Sequence, residues 1–132
     1  GRLDSGKPVL SATFVNVDNM TDSSSLGRIL SEQTASRFAQ HGYTIVEAKL
    51  RNDIFIQEGG GEFMLSREIQ ALSKQHDAQA VIVGTYAVGK ESVYISARVV
   101  RVTDNVVIGS HDYSIPMAKD IKAMLRSGRS GG

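Results

Sequence analysis

Residues 80–115 read AVIVGTYAVGKESVYISARVVRVTDNVVIGSHDYSI, from Ala80 to Ile115, and three strands can be read from that run. Gln79 to Tyr86 has an unbroken apolar centre, the pattern of a strand buried on both faces, which places it centrally in a sheet. After a turn at Gly89-Lys90-Glu91, Val93, Ile95, Ala97 and Val99 alternate with Tyr94, Ser96 and Arg98, predicting a half-buried strand with one wetter face. Thr103-Asp104-Asn105 supplies a second tight turn. Val106 to Ile115 returns as a third strand, and Pro116 ends it before a short helix with Met117, Ile121, Met124 and Leu125 on its inner side. The second half of the chain is therefore an antiparallel meander.

The first half has a different rhythm. Val9 to Val17 is rich in β-branched and aromatic residues and predicts one strand. Asp22-Ser23-Ser24-Ser25 offers N-cap side chains for a helix from Ser25 to Gln40, and Gly42 can take a left-handed cap conformation. The apolar stripe of that helix, Leu26, Ile29, Leu30 and Phe38, is interrupted by Gln33 and Arg37, so the helix should cover a sheet from one side only. Tyr43 to Ala48 follows as a strand and completes a βαβ start. Leu50 to Glu62, with Ile54-Phe55-Ile56 and Gly59-Gly60-Gly61, suits a partly packed loop or a short edge strand. Phe63, Leu65, Ile69 and Leu72 then stand near helical spacing and predict a second helix stopping near His76-Asp77. The fold expected is α/β with an α+β tendency: a mixed sheet of about five strands, two main helices and the C-terminal helix. Residues 1–126 are expected to form a single domain. Ser127 to Gly132 has linker composition and reads as a flexible tail.

The chain has 132 residues, 41% of them apolar and 22% charged, an ordinary composition for a folded domain. Fifteen Lys and Arg against fourteen Asp and Glu leave a formal charge of +1, too little for the basic surface that nucleic acid requires. Cysteine is absent, which excludes disulfides and thiolate zinc sites. No apolar run approaches the roughly 20 residues that cross a bilayer as a helix, and Gly1-Arg2-Leu3-Asp4 opens no signal segment.

Residue types that could carry chemistry do not assemble in the sequence. Gly59-Gly60-Gly61-Glu62 could present backbone N–H groups to a phosphate, but it lacks the Lys-Ser or Lys-Thr of a P-loop, and Glu62 would repel an anion. None of His41, His76 and His111 has a second ligand at i+3 or i+4, and His41 and His76 suit helix C-termini. Gly109-Ser110-His111-Asp112 holds the residue types of a hydrolase triad, yet neighbours along a strand point to opposite faces. Asp18 and Asp22 read as turn and capping residues rather than a carboxylate pair, and Asn19-Met20-Thr21 matches a glycosylation sequon. Arg98 and Arg101 fall on opposite faces of one strand and form no basic stripe. Tyr86, Tyr94 and Tyr113 suit either packing or contact area at an interface. The expectation is a binding protein with no catalytic residue, metal or cofactor.

The run from Val83-Gly84-Thr85-Tyr86 to Ala97-Arg98 resembles the FlgO family of bacterial flagellar outer-membrane proteins. Leu3-Asp4-Ser5-Gly6-Lys7-Pro8-Val9 with Thr13-Phe14-Val15-Asn16-Val17, the span from Leu26-Gly27-Arg28 to Gly42-Tyr43, and Gly61-Glu62-Phe63-Met64-Leu65-Ser66-Arg67-Glu68 agree with it. The resemblance implies an exported envelope lipoprotein of the flagellum, needed for motility, that acts through contacts with other flagellar or envelope proteins. It implies a fold similar to TolB amino-terminal, CsgG and LpoB modules, and a place on the periplasmic side of the outer membrane. The lipid anchor it implies would sit upstream, since this sequence has no lipobox cysteine. The alternative within the same class is an accessory of cell-wall synthesis or secretion; a ligand sensor using Gly59-Gly60-Gly61 is a third reading. Asn52, Phe55, Gln57, Glu58, Gly59, Gly60, Tyr94 and Tyr113 are the candidate protein-contact residues.

Overall fold

Val81, Ile82 and Val83 are successive residues whose side chains alternate between the two faces of one strand, yet all three are buried, so both faces of that strand are covered. The computed structural model describes residue 3 and residues 6–18, 25–48, 55–57 and 63–126. In it the buried strand is β6 (Ala80–Val88), at the middle of a six-stranded sheet. On one side β6 pairs in parallel with β1 (Val9–Ala12), which pairs in parallel with β3 (Ile45–Ala48); β2 (Val15–Asn16) continues the β1 side farther along β6. On the other side β6 pairs antiparallel with β7 (Ser92–Arg101), and β7 with β8 (Val107–Pro116). The βαβ start and the meander meet at the central strand expected from the sequence.

Three helices cover the sheet. α1 (Ser25–Gln40) and α3 (Lys119–Arg126) share one face, where Leu26 and Leu30 meet Val9, Phe14, Ile82, Tyr86 and Ile95, with Ile121, Met124 and Leu125 packed at the margin. α2 (Arg67–Gln75) lies on the other, with Ile69 and Leu72 against Leu10, Val81, Val83 and Val100. α1 thus covers one side of the sheet only, and Gly42 closes its end with φ +91°.

Two boundaries differ from the sequence reading. The first strand is two strands, because the chain leaves the ladder at Thr13-Phe14 to bury the Phe14 ring. The Phe14 N–H donates to the Gly27 carbonyl at 3.2 Å. A side chain at Gly27 would meet the Phe14 carbonyl oxygen, and one at Gly84 would lie 2.5 Å from the Phe14 ring. Two missing side chains, one on α1 and one on β6, therefore make the slot that the ring fills. Phe63 and Leu65 also do not begin a helix: β5 (Phe63–Leu65) is extended, and α2 starts after Ser66, whose hydroxyl accepts from the Ile69 N–H at 3.3 Å. The cap outweighed the apolar spacing.

The segment from Leu50 to Glu62 contributes β4 (Phe55–Gln57), paired antiparallel with β5 as a two-stranded ribbon apart from the main sheet. Asn52, Glu58, Gly59, Gly60, Asp22, the sequon and the tail at 127–132 lie outside the described residues. Among the described residues no helix is long and apolar enough to cross a membrane.

Candidate functional site

α2 packs against the part of its face near Val81, Val83 and Val100, and among the described residues no helix covers the part formed by β7 and β8. Alternation along β7 and β8 puts Tyr94, Ser96 and Arg98 of one strand and Ser110, Asp112 and Ser114 of the other on it. Tyr94 is 58% exposed there, and Val17 46%. Val17, Thr85, Tyr94, Ser96, Asp112 and Ser114 enclose a shallow trough of about 510 Å³.

The floor of this surface is tied together by polar contacts between side chains. Asp112 Oδ1 accepts from Arg98 Nη1 at 2.8 Å and from Ser96 Oγ at 2.7 Å, while Arg98 Nη1 also donates to the Ala97 carbonyl at 3.0 Å. The hydrogen bond from Arg98, followed by that from Ser96, holds the Asp112 carboxyl below the usual range. At the far end of β7, Arg101 makes a two-pronged pair with Asp104 in the turn, 2.7 Å at its shortest. That hydrogen bond lowers the Asp104 pKa and raises that of Arg101. Arg98 and Arg101 are therefore each occupied by a carboxylate of the same hairpin.

β8 ends the sheet on this side, and among the described residues no strand pairs with its outer edge. The Met117 N–H donates to the Glu91 carbonyl at 2.8 Å, which fixes the hydrogen-bonding parity of the β7–β8 pair. In an antiparallel ladder the bonded pairs alternate, so Ile115, Tyr113 and His111 face β7 while the backbone groups of Ser114, Asp112 and Ser110 point outward. Among the described residues the edge has no partner strand for these outward donors and acceptors, which lie in the same stretch that carries the polar face.

The structure divides the sequence candidates. Phe55 and Gln57 stand on the ribbon, and Leu65, directly opposite Phe55, packs into the core on the α2 face. The ribbon and Tyr94 thus belong to one face of the sheet. Tyr113 belongs to the other, where it packs with the α1-side core and stacks on His111 with ring centroids 5.3 Å apart; burial pushes its phenol pKa up. Tyr86 is a core residue. A sheet edge was expected as a contact surface, and β8 is such an edge; the Ser96–Arg98–Asp112 contacts were missed in sequence. The opposite charges on adjacent strands were visible, but their diagonal meeting depends on the register, which shifts at Val99/Val100.

The residue types of a reactive site remain apart. Asp112 serves Arg98 on one face while His111 stacks on Tyr113 on the other. His76 caps α2, and His41 donates its backbone N–H to the Phe38 carbonyl beyond α1. Asp18 takes part in a turn, its N–H donating to Asn16 Oδ1 at 2.9 Å. Among the described residues no three of His, Asp and Glu cluster as metal ligands, and no buried side-chain nitrogen or oxygen lacks a partner.

The family model described as FlgO protein matches residues 1–120. No curated protein matches the sequence. Among solved structures, the fold is similar to a dodecamer of PelC from Paraburkholderia phytofirmans, with TM-score 0.64 and 12% identity over 96% of this chain and 85% of that one. It is similar to the LpoB C-terminal domain from Salmonella enterica, with TM-score 0.59 and 12% identity over 87% of this chain and 86% of that one. A lipoprotein from Neisseria meningitidis aligns with TM-score 0.54 and 18% identity over 86% of this chain and 85% of that one. At such identities the likeness is one of fold.

Proposed function

Since the chain belongs to the FlgO family, we propose that it is a non-enzymatic assembly component of the flagellar outer-membrane apparatus, working through protein contacts and needed for normal motility. Its place is the cell envelope, at the periplasmic side of the outer membrane, held by a lipid anchor upstream of these residues. Residues 1–126 form the working domain. The observation that carries the reading is the outer edge of β8, where ten residues end the sheet without a partner strand among the described residues. Such an edge can take a strand from another protein, and the side chains beside it then set specificity. Tyr94 supplies aromatic contact area next to the edge, with the polar Ser96–Arg98–Asp112 floor around it. The ribbon bearing Phe55 and Gln57, with Asn52 and Glu58 to Gly60 beside it in sequence, extends the contact on the same face.

Proline at an outward-facing position removes the edge N–H without breaking a β7–β8 bond. Ser114→Pro is therefore expected to preserve the fold and the cellular level of the protein, to reduce recovery of envelope partners in a pull-down from intact envelopes, and to impair swimming. Normal swimming and an unchanged set of captured proteins, at wild-type levels, would rule out the edge as the docking element. The PelC structure is of a dodecamer, and capture of a second copy of this chain through β8 is one outcome that the pull-down distinguishes.

A further inference from the structure

The opposite face of the same hairpin carries a second feature that the docking edge does not use. α1 covers β1 and β6, and α3 packs near Ile115, leaving a gap between the last turns of α1 and the part of β8 near Gly109. The gap is a cleft of about 490 Å³, a size suited to a small molecule. Ile82, Ala97 and Val99 give it an apolar floor, Thr34 and Phe38 line its helix side, and His111 stacked on Tyr113 forms the outer wall.

Gly109 is the reason that the floor is open. It stands directly opposite Val99 on the neighbouring strand, and a Cβ placed on it would meet Val99 at 3.8 Å, an ordinary contact distance. Its φ is not in the left-handed region, so the backbone there does not require glycine. A strand position that could hold an apolar side chain is left empty, at a cost in strand stability, and such glycines mark close approach by another group.

The charge of the cleft has one sign. Among the described residues no Asp or Glu lines it, and Arg37, at its mouth, has no carboxylate within ion-pair distance. The Thr34 hydroxyl is already committed to the Leu30 carbonyl at 3.0 Å. The phenol of Tyr113 lies close enough to Arg37 to feel its charge; burial raises its pKa, and the charge of Arg37 opposes that rise. The interruption of the α1 stripe by Gln33 and Arg37 is thus also what places a cation over an apolar floor.

We propose that the cleft between α1 and β8 binds a small anionic amphiphile, a single-chain carboxylate whose apolar body lies on Ile82, Ala97 and Val99 over Gly109 and whose head group is held by Arg37. A charge-assisted, two-pronged hydrogen bond from guanidinium to carboxylate fixes the head, and burial of the chain supplies the rest of the affinity. The probe is decanoate, titrated below its micellar concentration into the 15N-labelled chain, with decanol as the neutral control. Saturable shifts at the Gly109, His111 and Arg37 amides are expected, with decanol weaker. Arg37→Gln, on an exposed helix surface, should weaken decanoate about tenfold while leaving decanol unchanged. Gly109→Val should abolish decanoate binding, and because a β-branched residue suits a strand it should not lower the melting temperature. Absence of saturation, equal binding of decanol, or undiminished binding to Gly109→Val would overturn the proposal. If Gly109→Val does not fold, the Arg37→Gln comparison decides by itself.

Discussion

At the scale of single residues, the arrangement around Phe14 makes the strongest demand on sequence identity. Its ring is almost wholly buried and occupies space that Gly27 and Gly84 leave clear. Phe14→Ala should cost about 3–5 kcal/mol, the range for an aromatic ring removed from a core. Gly84→Ala should cost about 1–3 kcal/mol through overpacking. The two are coupled: with the ring gone, a methyl group on residue 84 has room, so the second substitution should cost much less in the Phe14→Ala background. Chemical denaturation of the single and double variants measures this directly, and additive losses would contradict the slot. Asp112 gives a second residue-scale test. Its carboxyl is depressed by Arg98 first and Ser96 second, so its contribution to stability is full above about pH 4 and is lost as pH falls through the lower folded value. Asp112→Asn should therefore flatten part of the loss of melting temperature between pH 5 and pH 2, while an unchanged acid profile would show the contact to be inconsequential. Neither arrangement could be read from sequence. The glycines at 27 and 84 look like weak points of a helix and a strand until Phe14 is seen between them. The contacts of Asp112 depend on a register shift that no local pattern announces.

At the scale of elements, the sequence was most legible where period and burial agreed. The apolar centre of β6 and the alternation of β7 follow from side chains pointing to opposite faces, and α1 was found at Ser25–Gln40. Legibility failed where a local backbone interaction overrode a pattern. Ser66 capping α2 turned the apolar Phe63 and Leu65 into a strand, and burial of Phe14 divided the first strand. Elements also separate the two surfaces of the hairpin, since side chains at Ser110, Asp112 and Ser114 stand on the face of Tyr94 and those at Gly109, His111 and Tyr113 on the face of α1. Tyr94 and Tyr113, paired as candidates in the sequence, are thus assigned to different surfaces. Deleting residues 52–60 should weaken flagellar retention while leaving the far-ultraviolet circular dichroism of the main sheet and helices largely intact, because among the described residues β4 pairs with β5 and not with the main sheet. Loss of the cooperative unfolding transition would show instead that the segment is needed by the core.

At the scale of the whole molecule, the sheet is built asymmetrically. Its parallel half, β3, β1 and β6, lies between helices; its antiparallel half extends beyond α2 and ends in β8. The antiparallel half gives Val93, Ile95 and Ala97 to the core on its α1 side and presents a polar surface on the other, which is the physical basis for the docking role proposed for this member of the FlgO family. The most direct test is site-specific photo-crosslinking in intact, flagellated envelopes, with the reactive residue at position 114 on the β8 edge and, for comparison, at position 74 on the exposed side of α2. Docking through β8 predicts a discrete crosslinked band from position 114 that contains a flagellar envelope protein or a second copy of the chain, and none from position 74. The same band from both positions, or bands from position 74 alone, would contradict docking through β8.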